Sequence, residues 1–176
     1  QGRTNGGATA IGYLCGYSNQ GSGAVALGGY GAGREAQGNY AVAIGQSAAH
    51  YTQGDKAVAI GTNAGFTSQG SNSVAIGNLA GSNLQQVDAV AVGKEAGGTS
   101  QGSNSVAIGR DAGSNAQGAQ GVAIGLSAGK TTQGINGVAI GNSAGSTTQA
   151  AGAIAIGTLA GLTSQKTTAT AVGYQA

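Results

Sequence analysis

A five-residue pattern, complete in Ser73-Val74-Ala75-Ile76-Gly77, returns along the whole chain at a fixed interval. Its closing glycine falls at Gly12, Gly28, Gly45, Gly61, Gly77, Gly93, Gly109, Gly125, Gly141, Gly157 and Gly173, a 16-residue step everywhere except the 17 residues from Gly28 to Gly45. A period this short, held through eleven copies, is the signature of a solenoid, in which each repeat stacks on the last and like residues form files.

Composition limits what such a solenoid can contain. Among 176 residues there are 37 glycines and one phenylalanine, with no proline, methionine or tryptophan, so few bulky side chains exist and any core must be thin. Glycine richness and weak charge suit disorder, but disordered chains do not repeat a Val-Ala-Ile triplet every sixteen residues. Seven basic and five acidic residues, net charge +2, are scattered singly and form no basic stripe, which argues against nucleic-acid binding. No apolar run approaches the roughly 20 residues of a membrane-spanning helix, so no membrane insertion is expected of this segment. The chain starts at Gln1 and has no methionine, so it is expected to be processed, or an excerpt of a longer fibre protein. Residues 1–176 read as a single repeat domain. The lead Gln1–Gly7 and the stop at Ala176 carry no polar cap, and further domains or copies are expected to extend the rod.

Within each repeat the valine and isoleucine are two apart and share one face of an extended strand, as Val58 and Ile60, Val74 and Ile76, or Val106 and Ile108 do; the alanines share the other. The terminal copies begin with Thr9 and Thr170 instead. With β-branched residues on one face and only small residues on the other, the strand lacks the apolar-in, polar-out alternation of a half-solvated sheet, so something must cover both faces. The simplest winding places the Val/Ile files inside the coil and presses the alanine files against neighbouring copies; the reverse assignment also satisfies the pattern. Two interior side chains per coil cannot offset the ordering of sixteen residues, so a homo-oligomer is expected, packed through its alanine and glycine faces. Ten turns at roughly 4.8 Å make a rod about 50 Å long.

A second file is as regular as the glycines. Glutamine follows the marker glycine by eight residues at Gln20, Gln53, Gln69, Gln85, Gln101, Gln117, Gln133, Gln149 and Gln165, with Gln37 nine residues on in the long turn. Stacked one strand spacing apart, identical amides can hydrogen-bond along the file as a ladder; the alternative is a row of solvent-facing turn residues. Glycine after the glutamine, as at Gly54, Gly70 and Gly102, suits a turn needing positive φ, although Gln86, Ala150 and Lys166 stand there too. The extra residue of the long turn lies between Gly28 and Gln37 and reads as a bulged loop around Gly33-Arg34-Glu35.

The Ser-Val-Ala-Ile-Gly runs of 73–77 and 105–109, with their Ala-Val-Ala-Ile-Gly variants, resemble the YadA-like head repeat of trimeric autotransporter adhesins and related repeats of viral and phage fibres. The resemblance covers essentially the whole chain. It implies a left-handed parallel β-roll, assembled as a tight homotrimer on a cell or virion surface, extracellular, contributing length, rigidity and adhesion to a glycan or host-surface protein. Two departures, a repeat longer than the bacterial one and the regular Ala-Gly and Gln-Gly of the outer arc, lean toward the viral and phage variants.

Candidate chemistry is sparse. Cys15 stands in the alanine file of Ala48 and Ala64 and reads as a small buried hydrophobe. His50, the sole histidine, shares a file with Tyr17 and Phe66 and reads as a surface residue. Without a second histidine, a cysteine pair or grouped carboxylates, no metal site, cofactor or catalytic constellation is expected, and enzymatic activity is not. Five of six tyrosines lie in the first 51 residues, making Tyr17, Tyr51, His50 and Phe66 the candidate ligand contacts; padding of the rod's bulged end is the simpler explanation of them. The outer file of Thr67, Thr99, Thr131, Thr147 and Thr163 raises an ice-binding alternative, interrupted by Asn83 and Asn115. A self-polymerising filament subunit is a further alternative.

Overall fold

The computed structural model describes residues 6–176; residues 1–5 of the Gln1–Gly7 lead lie outside the described residues. The chain is an all-β parallel solenoid. Each repeat contributes one strand to an eleven-stranded sheet whose spatial order follows the chain, from Thr9–Tyr13 through Val58–Ile60 and Val74–Ile76 to Thr170–Val172. Register is that of the sequence period: Val58 pairs with Val74, Ala59 with Ala75 and Ile60 with Ile76. On another side of the coil, two-residue strands pair in the same register, Thr52–Gln53 with Ser68–Gln69, and Thr132–Gln133, Thr148–Gln149 and Ser164–Gln165 with one another.

The strand faces are the reverse of the simplest winding. The central alanines, Ala43, Ala59, Ala75, Ala91 and their equivalents, are fully buried inside the coil of a single chain, together with the file of Ala64, Ala80 and Ala96. The valines of the same strands are half-buried and the isoleucines more exposed, 37% at Ile76 and 39% at Ile108. A homotrimer packed through alanine faces is therefore excluded, because those faces are already consumed within the chain. The reason is perimeter: a sixteen-residue coil with four inward files, the fourth being that of Ala57, Ser73 and Ala89, encloses a channel that small side chains and one longer one fill. A β-branched residue on each inward position would overpack it. Cys15 takes an alanine position, is buried, and points its thiol at the Gly28 carbonyl at 3.3 Å.

Corners are made by left-handed residues at fixed places. Every marker glycine except Gly28 has φ between 120° and 129°, and a Cβ on Gly77 would lie 2.6 Å from the Gly93 carbonyl oxygen of the next coil. Glycine is required there twice, by conformation and by the closeness of stacking. The glycine after each glutamine has a different cause from the positive φ expected of it. Gly54 and Gly70 are not left-handed; they leave room for the backbone of the next coil, which a Cβ would approach to 2.4–2.8 Å. The positive φ falls two residues later, at Lys56, Asn72, Asp88 and Asn104.

The extra residue of the long turn is also displaced from its expected place. Ile11 pairs with Leu27, but Tyr13 pairs with Tyr30, so the insertion sits at Gly28-Gly29. A Cβ on Gly29 would meet nothing within 4 Å: the bulge opens outward. Gly33 occupies the ordinary coil position, its Cβ direction facing Gln37 Oε1 at 2.7 Å as that of Gly65 faces Gln69.

Candidate functional site

The glutamine file lies in the channel. Gln20, Gln37, Gln53, Gln69, Gln85, Gln101, Gln117, Gln133, Gln149 and Gln165 are all buried, and several are the largest fully buried side chains of the molecule. Each turns its amide across the coil to a carbonyl of the sheet strand, as Gln69 Nε2 donates to Val58 O at 2.7 Å and Gln101 Nε2 to Val90 O at 2.7 Å. Along the file the amide of Gln53 donates to Gln69 Oε1 at 3.1 Å, Gln85 to Gln101 at 3.0 Å, and Gln117, Gln133 and Gln149 each to the next at 3.1–3.2 Å. The side-chain chain is thus segmented. Gln20, Gln37, Gln53, Gln85 and Gln117 have Oε1 atoms with no hydrogen-bond partner; all but Gln53, which follows the extended Thr52, come after a left-handed residue, Asn19, Ala36, Leu84 or Ala116. Where Ser68, Thr132, Thr148 or Ser164 stands instead, the segment is extended and the glutamine accepts from its neighbour.

The outward face of the long sheet carries two uninterrupted files, one led by Val42, Val58 and Val74 and the other by Ile44, Ile60 and Ile76. Ile76, Ile108, Ile124, Ile140 and Ile156 each leave 36–39% of their surface uncovered in one chain. A flat apolar strip one sheet long exceeds the scattered hydrophobic exposure normal for a monomer.

Five rings of the first four coils, those of Tyr13, Tyr30, His50, Tyr51 and Phe66, gather at one corner, while Tyr40 stands apart and exposed. Rings of Tyr13 and Tyr30 are 5.8 Å apart, Tyr30 and His50 6.5 Å, and His50 and Phe66 5.2 Å, the last two pairs near parallel at 18° and 25°. Tyr51 stands edge-on to His50 and Phe66, at 4.7 and 5.3 Å. Of the candidate ligand contacts, His50, Tyr51 and Phe66 are therefore brought together, while Tyr17 has no ring partner among the described aromatic pairs and is half-exposed. His50 is not the surface residue expected: it is 5% exposed, held between rings, and its Nε2 lies 3.1 Å from Nη1 of Arg34. Burial first, then the Arg34 charge, hold its pKa below the ordinary value of 6.5. Arg34 was legible by counting one period back from His50; Tyr30 was not, because it stands in the file of Gln46, four residues before Arg34, and meets His50 diagonally across files.

On the threonine side, Thr67 donates to Asn83 Oδ1 and Thr99 to Asn115 Oδ1, both at 3.2 Å. The asparagines that interrupt the rank are hydrogen-bonded into it, and the adjoining file kinks at left-handed Leu84 and Ala116. Among the described residues no His, Cys, Asp and Glu cluster is gathered that could hold a metal ion, and no helix is long and apolar enough to cross a membrane.

Comparison with known families finds the YadA head domain repeat in two copies, at residues 51–64 and 68–96. Curated proteins give no match. Solved structures give none either.

Proposed function

We propose, for a chain carrying YadA-like head repeats, that three copies pack side by side through the Val/Ile face of the long sheet to form the rigid shaft of an extracellular fibre. The observation that carries the reading is the unbroken pair of β-branched files on that face, left half-covered by the chain itself. A chain whose interior is alanine and glutamine has little apolar burial of its own. Packing three such faces about a common axis along a left-handed roll supplies what the interior lacks, and it aligns the three solenoids so that the assembly resists bending. Such a shaft stands on a cell surface or a virion, and its role is mechanical and non-enzymatic.

Between an adhesive head and a shaft with binding located elsewhere, the aromatic corner favours the shaft. Parallel rings one coil apart cover each other's faces, which are the surfaces a sugar would stack on. Attachment of a glycan or host-surface protein on this segment would fall on the outer edges of Tyr17 and Tyr51. Ice binding is disfavoured by the interruptions at Asn83 and Asn115, which break the rank and take the hydroxyls of Thr67 and Thr99 as donors.

Sedimentation equilibrium of the purified chain tests the assembly. The expected mass is three times that of the chain, with Ile108→Lys combined with Ile124→Lys reducing it to monomer or aggregate. A wild-type chain that sediments as a stable monomer overturns the reading.

A further inference from the structure

Arg34, His50 and the rings around them form a contact that can exist in one protonation state only. A guanidinium has donors and no acceptor, so an Arg34 Nη1 to His50 Nε2 contact of 3.1 Å is a hydrogen bond only while Nε2 keeps its lone pair. We propose that this pair is an acid-released latch: at neutral pH it closes the aromatic corner of the second to fourth coils, and protonation of His50 opens that corner while the rest of the rod stays wound. The inference rests on the geometry within one chain and holds whether or not the shaft reading does.

Three features make the contact a switch. First, the ring has no water to turn to, since it is 5% exposed between Tyr30 and Phe66 with Tyr51 against its edge. An imidazolium would have to leave that site or be desolvated in it. Second, protonation converts an attractive contact into two cations at hydrogen-bond distance. The charged and polar groups facing the ring are Arg34, Glu35 and the Gly31 backbone. Glu35 opposes the repulsion but lies 3.8 Å from the Arg34 guanidinium and is substantially exposed; the Gly31 backbone also favours the charged ring, more weakly than burial and Arg34 oppose it, and His50 Nδ1 makes no hydrogen bond of good geometry. Third, a solenoid couples only adjacent repeats, and this is the chain's sole histidine, so the response is local.

The sign follows. His50 has a folded pKa below 6.5, so below that pH the open form binds the proton more readily than the closed form. The closed corner is fully favoured above about 6.5 and loses up to about tenfold in its equilibrium for each pH unit below it, until the folded pKa is passed.

Because His50 is unique, its ring gives one imidazole signal in a proton NMR titration of the full chain. The expected midpoint is below 6.5 and coincides with a reversible change in near-ultraviolet circular dichroism, which tyrosine dominates because tryptophan is absent. Hydrogen exchange, corrected for intrinsic rates, should then accelerate up to about tenfold per pH unit at residues 30–66 and not at residues 100–170. Arg34→Met should move the midpoint upward, and His50→Phe should abolish the transition. The proposal fails if His50 titrates at 6.5 or above, if Arg34→Met leaves the midpoint in place, if exchange accelerates equally along the rod, or if a folded His50→Phe chain shows the same transition.

Discussion

At the scale of single residues, the molecule depends on side chains that fit one place in a coil and no other. Gln101 is the sharpest case: its Nε2 donates to Val90 O while its Oε1 accepts from Gln85. Gln101→Glu keeps the shape and replaces the donor with a second oxygen, which faces a buried carbonyl. Burial raises the folded pKa of that carboxyl above its unfolded value of about 4.3. A group with a raised folded pKa gives its full stability below the unfolded value and loses it as pH rises. The variant should therefore melt well below wild type at pH 7 and recover part of the difference near pH 4, as followed by circular dichroism. Gly77→Ala addresses a different constraint. At φ 129° and with the Gly93 carbonyl oxygen 2.6 Å from the new methyl, it combines backbone strain with overpacking. A loss of about 2–5 kcal/mol in denaturant unfolding is expected. Gly29→Ala, whose methyl meets open space, should cost less than about 1 kcal/mol.

At the scale of strands and turns, the repeat length, the parallel stacking and the register were legible because they follow from spacing alone. Val58, Val74 and Val90 had to form one file if sixteen residues made one coil. The faces were not legible from the same pattern. Val and Ile are the residues usually found inside; here the perimeter is too short, and alanine takes the interior while the larger residues face out. Period 2 distinguishes two faces but does not say which one the coil closes on. The bulge escaped for a related reason: both ends of the long turn, Gly28 and Gln37, are in register, so the insertion could be bounded but not placed until the Tyr13–Tyr30 pairing was seen. His50 lies inside rather than on the surface because its neighbours, Arg34 and the rings of Tyr30, Tyr51 and Phe66, are bulky enough to cover it. Turn conformation also accompanies the breaks in the glutamine file, that before Gln53 excepted. Leu84 is half-exposed and left-handed at φ 55°, a region that costs an ordinary residue about 1–2 kcal/mol and an asparagine less. Asn19 already occupies this position in the first coil with φ 52°. Leu84→Asn should raise the unfolding free energy by up to about 1 kcal/mol, with no change in the circular dichroism spectrum.

At the scale of the whole molecule, a solenoid with one strand per coil has nearest-neighbour energetics, because no side chain reaches past the adjacent repeat. The hydrogen bonds bear this out: those joining coils run between residues about one period apart, as Val74 N to Ala89 O or Gly93 N to Ile76 O. Length is then adjustable in units of one period and intolerant of anything else. Excising residues 94–109 joins Gly93 to Arg110 and leaves every file intact, with Gln85 stacked on Gln117 and Val90 on Val122. The shortened chain should keep its spectrum, lose about one strand spacing, roughly 4.8 Å, of length in small-angle scattering, and fall only modestly in melting temperature. Excising residues 94–101 removes half a period and sets the glutamine file against the marker glycines, where a Cβ would run into the backbone of the next coil. That chain should fail to fold cooperatively across the junction. Equal stability of the two deletions would show that the files of like residues do not hold the rod together. A stable 94–109 deletion beside a collapsed 94–101 deletion is what stacking by like residues requires.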